Sequence, residues 1–263
     1  MQRDSIDFSS SDVGKLFRRF LFPTVMGMVF SAVFVITDGI FVGRGIGSDA
    51  LASVNIVAPL FTLGTGLGLM FGMGGSVVAS INLAQDKRRV AEINITQSLA
   101  LPALLIALLS ALLIHCHEPL LMLLGTPGEL MVPAREYLVW FTLFLAPLAV
   151  FNILMFIVRL DGAPGFAMAC NIMAACINIA LDYLFIFVFE WGLAGAAVAT
   201  GIGYVVGSGV MLWYMFRRSR TLRFVKLKMS GKSMRLTVRN LWYMSYIGFP
   251  ALLSELAISC LMI

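Results

Sequence analysis

Residues 165–189 read GFAMACNIMAACINIALDYLFIFVF, twenty-five positions with Asp182 as the one charged side chain. An α-helix needs about 20 mostly apolar residues to cross the hydrocarbon core of a bilayer, and this run exceeds that length. Its acid is therefore informative, because a carboxylate at the bilayer centre costs roughly 2.5 to 3.5 kcal/mol even on lenient insertion scales. Asn178 stands four residues before Asp182, one helical turn away on the same face, so the two can act together.

Working outward, five more runs of this kind cover 15–43, 51–84, 93–116, 131–158 and 193–216, and a further one starts near 241. With 60% hydrophobic and 13% charged residues and a mean hydropathy of +0.93, the chain does not describe a soluble surface. The reading is an all-α polytopic membrane protein: a six-helix transmembrane bundle plus a partial seventh helix, with the lipid bilayer as its solvent. The connections are short and rich in Gly and Pro, as in 43–49, 85–89, 125–128 and 161–165. Short connections predict that sequential helices are antiparallel neighbours.

Charge sets the expected orientation. A cytoplasmic N-terminus places Arg3, Lys15, Arg18, Arg19, Lys87, Arg88, Arg89, Arg159 and the nine basic residues of 217–239 on one side, 17 of 19 in all. Only Arg44 and Arg135 then face outward, as the positive-inside rule asks. Trp191 falls in an outer loop, and Trp213, Tyr214, Trp242 and Tyr243 fall at inner ends, where amphipathic rings anchor at the interface. The formal charge of +5 thus reports topology, and nucleic acid is not an expected partner. The first run is too long for a signal peptide and lacks a small-residue cleavage site, so it is retained as a helix.

Phe22-Pro23 near the start of the first helix is echoed by Phe249-Pro250 in the seventh. Transporters are commonly built from two related bundles, so the expected organisation is a six-helix lobe over 1–216, a basic cytoplasmic linker over 217–240, and the first helix of a second lobe over 241–263, where the sequence looks cut off.

Among the ionisable residues inside apolar runs, three candidates stand out: Asp38, Asp182 and Glu255. Asp182 precedes Trp191 by nine positions and Thr200 follows it by nine, which on antiparallel helices predicts equal depth. Asp38 lies five residues before Gly43, in the same outer half. Asp38, Asn178, Asp182 and Thr200 can therefore converge. Such a cluster offers a cation only oxygen ligands, which suits Na⁺ or H⁺ and argues against zinc or copper. Two buried acids in one pocket do not both hold charge cheaply, so proton exchange near neutral pH is physically available and Na⁺ and H⁺ can compete there.

Other features carry less. The glycines of the second run, Gly68 and Gly72 among them, and of the sixth, Gly203 and Gly207 among them, match no dinucleotide or phosphate-loop fingerprint and suit close helix packing. Pro23 and Pro147 lie inside helices and predict kinks. His115, Cys116 and His117 alternate on an expected helix and do not converge as metal ligands. Cys116, Cys170, Cys176 and Cys260 form no C-x-x-C pair and read as small apolar packing residues. No Ser/His/Asp arrangement or metalloprotease motif occurs, so no enzyme and no cofactor are expected.

In order along the chain stand D-G-I-F-V-G-R (38–44), R-x-D-G-x-P (159–164), N-I-A-L-D-Y-L-F-I-F (178–187) and G-L-A-G-A-A-V-A-T (192–200). Together these resemble the N-terminal lobe of the multidrug and toxic compound extrusion (MATE) transporters, over nearly all of the chain. The resemblance implies two six-helix lobes around a pseudo-twofold axis, a central cavity that opens alternately to the two sides, and secondary active export of drugs and toxic organic cations against inward Na⁺ or H⁺ across a bacterial inner membrane. It implies that the cation site is Asp38, Asn178, Asp182 and Thr200 with Asn152 nearby, and that Pro23 is the bending point of the first helix. It also implies that Glu255 matches an acid some members carry on the seventh helix, a second acidic site, and that a C-terminal lobe completes the protein. Two other readings stand beside it: a lipid-linked oligosaccharide flippase, which would want a basic rather than an acidic cavity, and a membrane-embedded subunit without transport.

Overall fold

The computed structural model describes residues 13–227 and 231–262, with side chains at all of these except 13, 15, 16, 19, 20, 23, 31, 231–234, 261 and 262. In chain order the helices are α1 (Val13–Gly45), α2 (Ser48–Ala84), α3 (Arg88–His115), α4 (His117–Leu123), α5 (Met131–Leu143), α6 (Leu145–Leu160), α7 (Pro164–Asp182), α8 (Gly192–Arg217) and α9 (Gly231–Met262). No strand occurs among the described residues. Six helices are long and apolar enough to cross a bilayer, and the bent pair of residues 128–143 and 145–160 is a seventh candidate span. Each hydrophobic run of the sequence thus becomes a helix or a helix pair. Pro23 lies within α1, but its side chain is outside the described residues, as are Arg3, Lys228 and the side chains of Lys15, Arg19 and Lys232.

The α5–α6 pair bends by 46°, and the bend has a covalent cause. Pro147 has no N–H for the carbonyl of Leu143, four residues back, and its ring crowds that carbonyl. The helix breaks at Phe144, whose N–H turns to Phe141 O while its own carbonyl restarts the ladder with Leu148 N. Near the bend, Ser208 Oγ of α8 donates to Pro147 O at 3.4 Å.

Sequential neighbours account for only part of the packing. α2 lies on α3 and α7 on α8, as expected, but α1 lies mainly on α7, α6 packs on α2, α3 and α8, and α9 runs along α2. Glycine decides these partners. A Cβ on Gly68 would come within 2.9 Å of Ala149 O, and one on Gly72 within 3.0 Å of Ile153 Cα, so α2 and α6 meet backbone to backbone. On α8, Gly203 stands against Ala174 O of α7 and Gly207 against the Phe151 ring of α6. One apolar cluster forms around Ile153, Leu154, Ile157 and Met211. Another forms around Val57, Leu121, Leu138 and Leu145.

Several local expectations change. The His115-Cys116-His117 trio straddles a break, because α3 ends at His115 and α4 starts at His117. Cys170 is buried, but Cys176 and Cys260 are exposed and are not packing residues of this bundle. The last helix begins at Gly231, ten residues before the apolar run that announces it.

Tyr214 is no interface anchor: it is buried and stacks on Phe166. Its hydroxyl donates to Asp161 Oδ2 at 2.9 Å. Asp161, in the α6–α7 turn, is itself 1% exposed and also accepts the backbone N–H groups of Arg220, Thr221 and Leu222 at 2.8 to 2.9 Å. A buried carboxylate with four donors is a saturated anion. It fastens the start of the basic linker to the bundle.

Candidate cation site and cavity

α7 stops being α-helical at Asp182. Residues Tyr183–Val188 continue as a π-helix, with Phe189 N reaching back five residues to Leu184 O. Such wide turns concentrate at functional sites. The chain then reverses through Glu190 and Gly192, both at positive φ, 55° and 59°, and Phe185 stacks on Trp191 at 4.8 Å.

Each residue of a π-helix advances less along the axis, so the equal-offset argument around Trp191 does not hold to the residue. Thr200 is level with Asn178 rather than Asp182: Asn178 Nδ2 donates to Thr200 Oγ1 at 3.0 Å. Asn178, Asp182 and Thr200 are 2%, 0% and 7% exposed. Asp38 arrives from α1, half-buried, and its carboxyl adjoins that of Asp182. These four side chains lie together toward the C-terminal ends of α1 and α7 and the N-terminal end of α8.

Their hydrogen bonding is incomplete. Asp38 Oδ1, both carboxyl oxygens of Asp182, and Asn178 Oδ1 as the amide is oriented here are buried without a hydrogen-bond partner. Buried polar atoms are ordinarily paired. Four orphan oxygens on two carboxyls and an amide are a donor-poor, ligand-rich set of the kind that takes a hard cation or a proton.

Two tyrosines border this set and were not foreseen. Tyr137 of α5 lies within electrostatic reach of Asp38 and Asp182, and Tyr204 of α8 within reach of Asp38. Tyr204 follows Thr200 by four residues, a spacing that places it on the same face and offers a legible signal. Tyr137 has none, because the bend at Phe144 sets which way α5 faces.

Beside the acid pair lies a cavity of about 260 Å³, lined by Phe34, Phe61, Thr65, Phe151, Asn152, Asn171, Asn178, Thr200, Tyr204 and Glu255 among others. Asn178 and Thr200 line both spaces, whereas Asp38 and Asp182 are not part of the cavity wall. Asn152 belongs to the wall, its amide donating to Leu148 O of its own helix at 3.1 Å. Glu255 reaches the same cavity from α9, so it is brought near the cluster across the void and not into it.

Helices long and apolar enough to span a bilayer define a polytopic membrane protein, and the buried oxygen cluster with its adjoining cavity is its candidate binding site. The MatE family model matches residues 23–184, and the chain belongs to that family, the MATE transporters. It is 31% identical over 257 residues to the multidrug export protein MepA of Staphylococcus saprophyticus, an alignment taking in 95% of this chain and 54% of MepA. It superposes on an outward-facing multidrug resistance MATE family transporter with a TM-score of 0.82 at 25% identity, over 95% of this chain and 54% of that one. On an inward-facing structure of such a transporter the TM-score is 0.75 at 26% identity, over 87% of this chain and 51% of that one. The chain spans about half the length of the curated relatives it matches.

Proposed function

We propose that this chain is the first lobe, with the linker and the opening helix of the second, of a secondary active multidrug exporter in a bacterial cytoplasmic membrane. In this reading residues 1–216 form the lobe, 217–240 the linker and 241–263 the start of its partner, with the N-terminus cytoplasmic. The cargo is amphiphilic and often cationic, and the counter-substrate is Na⁺ or H⁺ moving inward. The observation that carries the reading is the set of buried oxygens on Asp38, Asp182 and Asn178 that have no donor, next to a cavity with aromatic and amide walls.

The residues divide the work. Asp38 and Asp182 supply charge, and Asn178 supplies a carbonyl oxygen held in place by Thr200. The two adjoining acids share one proton, so a single inward-moving cation neutralises the charge that remains and the site carries no uncompensated charge when the cavity reorients. Organic cargo occupies the cavity, where aromatic faces suit cationic and apolar groups and Glu255 supplies a negative charge. Asn178 and Thr200, shared by both spaces, are the route by which occupancy of one is felt in the other. One positive charge entering across 100 mV releases about 2.3 kcal/mol, enough for roughly 50-fold accumulation of a neutral solute.

The test is efflux of a fluorescent cationic dye from cells expressing the full-length protein, with and without Asp182→Asn, under imposed Na⁺ or proton gradients. Gradient-driven efflux that the variant lacks supports the reading. A variant that pumps like the parent removes the coupling role of this site, and a well-expressed parent that pumps no dye removes the exporter.

A further inference from the structure

The linker-side ends of α3 and α9 meet through four uncharged polar side chains. Gln97 Nε2 donates to Thr237 Oγ1 at 2.8 Å. Asn240 Nδ2 donates to Asn94 Oδ1 at 2.8 Å and to Gln97 Oε1 at 2.6 Å. Asn94, Gln97 and Thr237 are buried. Next to them α2 and α9 touch backbone to backbone, since a Cβ on Gly74 would collide with the Met244 carbonyl oxygen and one on Gly248 with that of Met70.

The order along both helices is the same. On α2 the cavity residue Thr65 comes first, then the Met70–Gly74 crossing, then the linker-side end. On α9 the cavity residue Glu255 comes first, then the Gly248–Met244 crossing, then Asn240 and Thr237. The crossing and the amide cluster therefore stand in series between the cavity and the basic linker.

Two kinds of fastening coexist at this end. Asp161 holds residues 220–222 with a charge that would be left buried and unpaired if the contact parted, so this is a permanent anchor. A second tether, Val225 N to Thr96 Oγ1 at 3.1 Å, fixes the linker further along. The α3–α9 cluster differs, because every group in it is neutral and exchanges its protein partner for water at nearly balanced free energy. The α2–α9 crossing beside it is apolar and stays packed, with Met70 and Met244 buried, whereas the polar α3–α9 contact parts and re-forms where an apolar one would resist wetting.

We propose that Asn94, Gln97, Thr237 and Asn240 form a releasable latch that closes the linker-side mouth of the cavity, made in the state seen here and hydrated when the cavity opens toward the linker. The inference rests on the alternating-access reading above and adds to it the residues that hold one side shut. The closer likeness to the outward-facing relative than to the inward-facing one agrees with a closed linker side.

The test uses the full-length protein in a background without other cysteines. Gln97→Cys and Thr237→Cys are joined by a short bifunctional thiol reagent, with a monofunctional reagent as control. Joining is expected to cut dye efflux by at least about tenfold relative to the control, with recovery on reduction; joined protein that transports at the control rate overturns the latch. A second arm follows Thr65→Cys labelling by an impermeant thiol reagent added on the linker side. Asn240→Ala, which removes the donor to Asn94 and Gln97 without adding apolar bulk, is expected to raise that labelling about threefold or more, by shifting the population toward the open mouth; unchanged labelling overturns the proposal. This arm needs no transport, so an absence of efflux in every sample would count against the exporter while labelling still decides the latch.

Discussion

Asn178 of α7 donates to Thr200 of α8 across 3.0 Å, and that bond leaves the Asn178 carbonyl oxygen without a donor beside Asp182. A polar contact between two helices thereby fixes the orientation of the Asn178 amide. Thr200→Val keeps the shape and removes the acceptor. It is expected to weaken the apparent affinity for the coupling cation about tenfold, the size of one neutral hydrogen bond, with little change at saturating cation. Efflux measured against cation concentration separates the two effects.

If Na⁺ and H⁺ occupy the same oxygens, each proton bound removes charge that would have held Na⁺. Binding of radiolabelled Na⁺ to the purified full-length protein is then expected to strengthen from about pH 6 to about pH 8, and Asp182→Asn to flatten that dependence. Binding that ignores pH in the parent would separate the two ions.

The Asp161 anchor predicts a stability ladder. Tyr214→Phe removes one of four donors and is expected to cost about 1 to 2 kcal/mol, while Asp161→Ala leaves three backbone N–H groups and a hydroxyl unpaired and is expected to cost about 3 kcal/mol or more. Thermal unfolding of the purified protein in detergent reads the order: parent, then Tyr214→Phe, then Asp161→Ala. Equal midpoints for Asp161→Ala and the parent would remove the anchor.

The glycines divide by what surrounds them. Gly72→Val drives side-chain carbons into the Ile153 backbone and the Phe156 ring and is expected to destabilise by about 1 to 3 kcal/mol. Gly209 has open space where its Cβ would be, so Gly209→Ala is expected to be neutral or to stabilise by up to about 1 kcal/mol through helix propensity. The same unfolding assay checks both.

The candidate site was legible where helical arithmetic suffices. Asp182 and Asn178 share a face by their four-residue spacing, and Asp38 belongs with them by its distance from a helix end. That Thr200 bonds Asn178 was not legible, because the π-helical segment 183–188 cannot be read from composition. Tyr137 went unseen because its direction depends on a bend that Pro147 imposes from ten residues away. The latch was also invisible: Gln97 and Asn240 are ordinary amides until α3 and α9 are set side by side.

By itself the sequence determined the solvent, the spans and the cost of each buried charge, because apolar length and isolated carboxylates act locally whatever the helices later do. Tertiary structure alone decided which helices touch. Glycines at Gly68, Gly72, Gly74 and Gly248 take their partners from shape and close approach, a choice that brings Glu255 to the cavity and Asn240 to Gln97, while the packing of α1 on α7 brings Asp38 to Asp182. Backbone proximity across a bundle is a property of the whole packing, so no spacing within one helix encodes it.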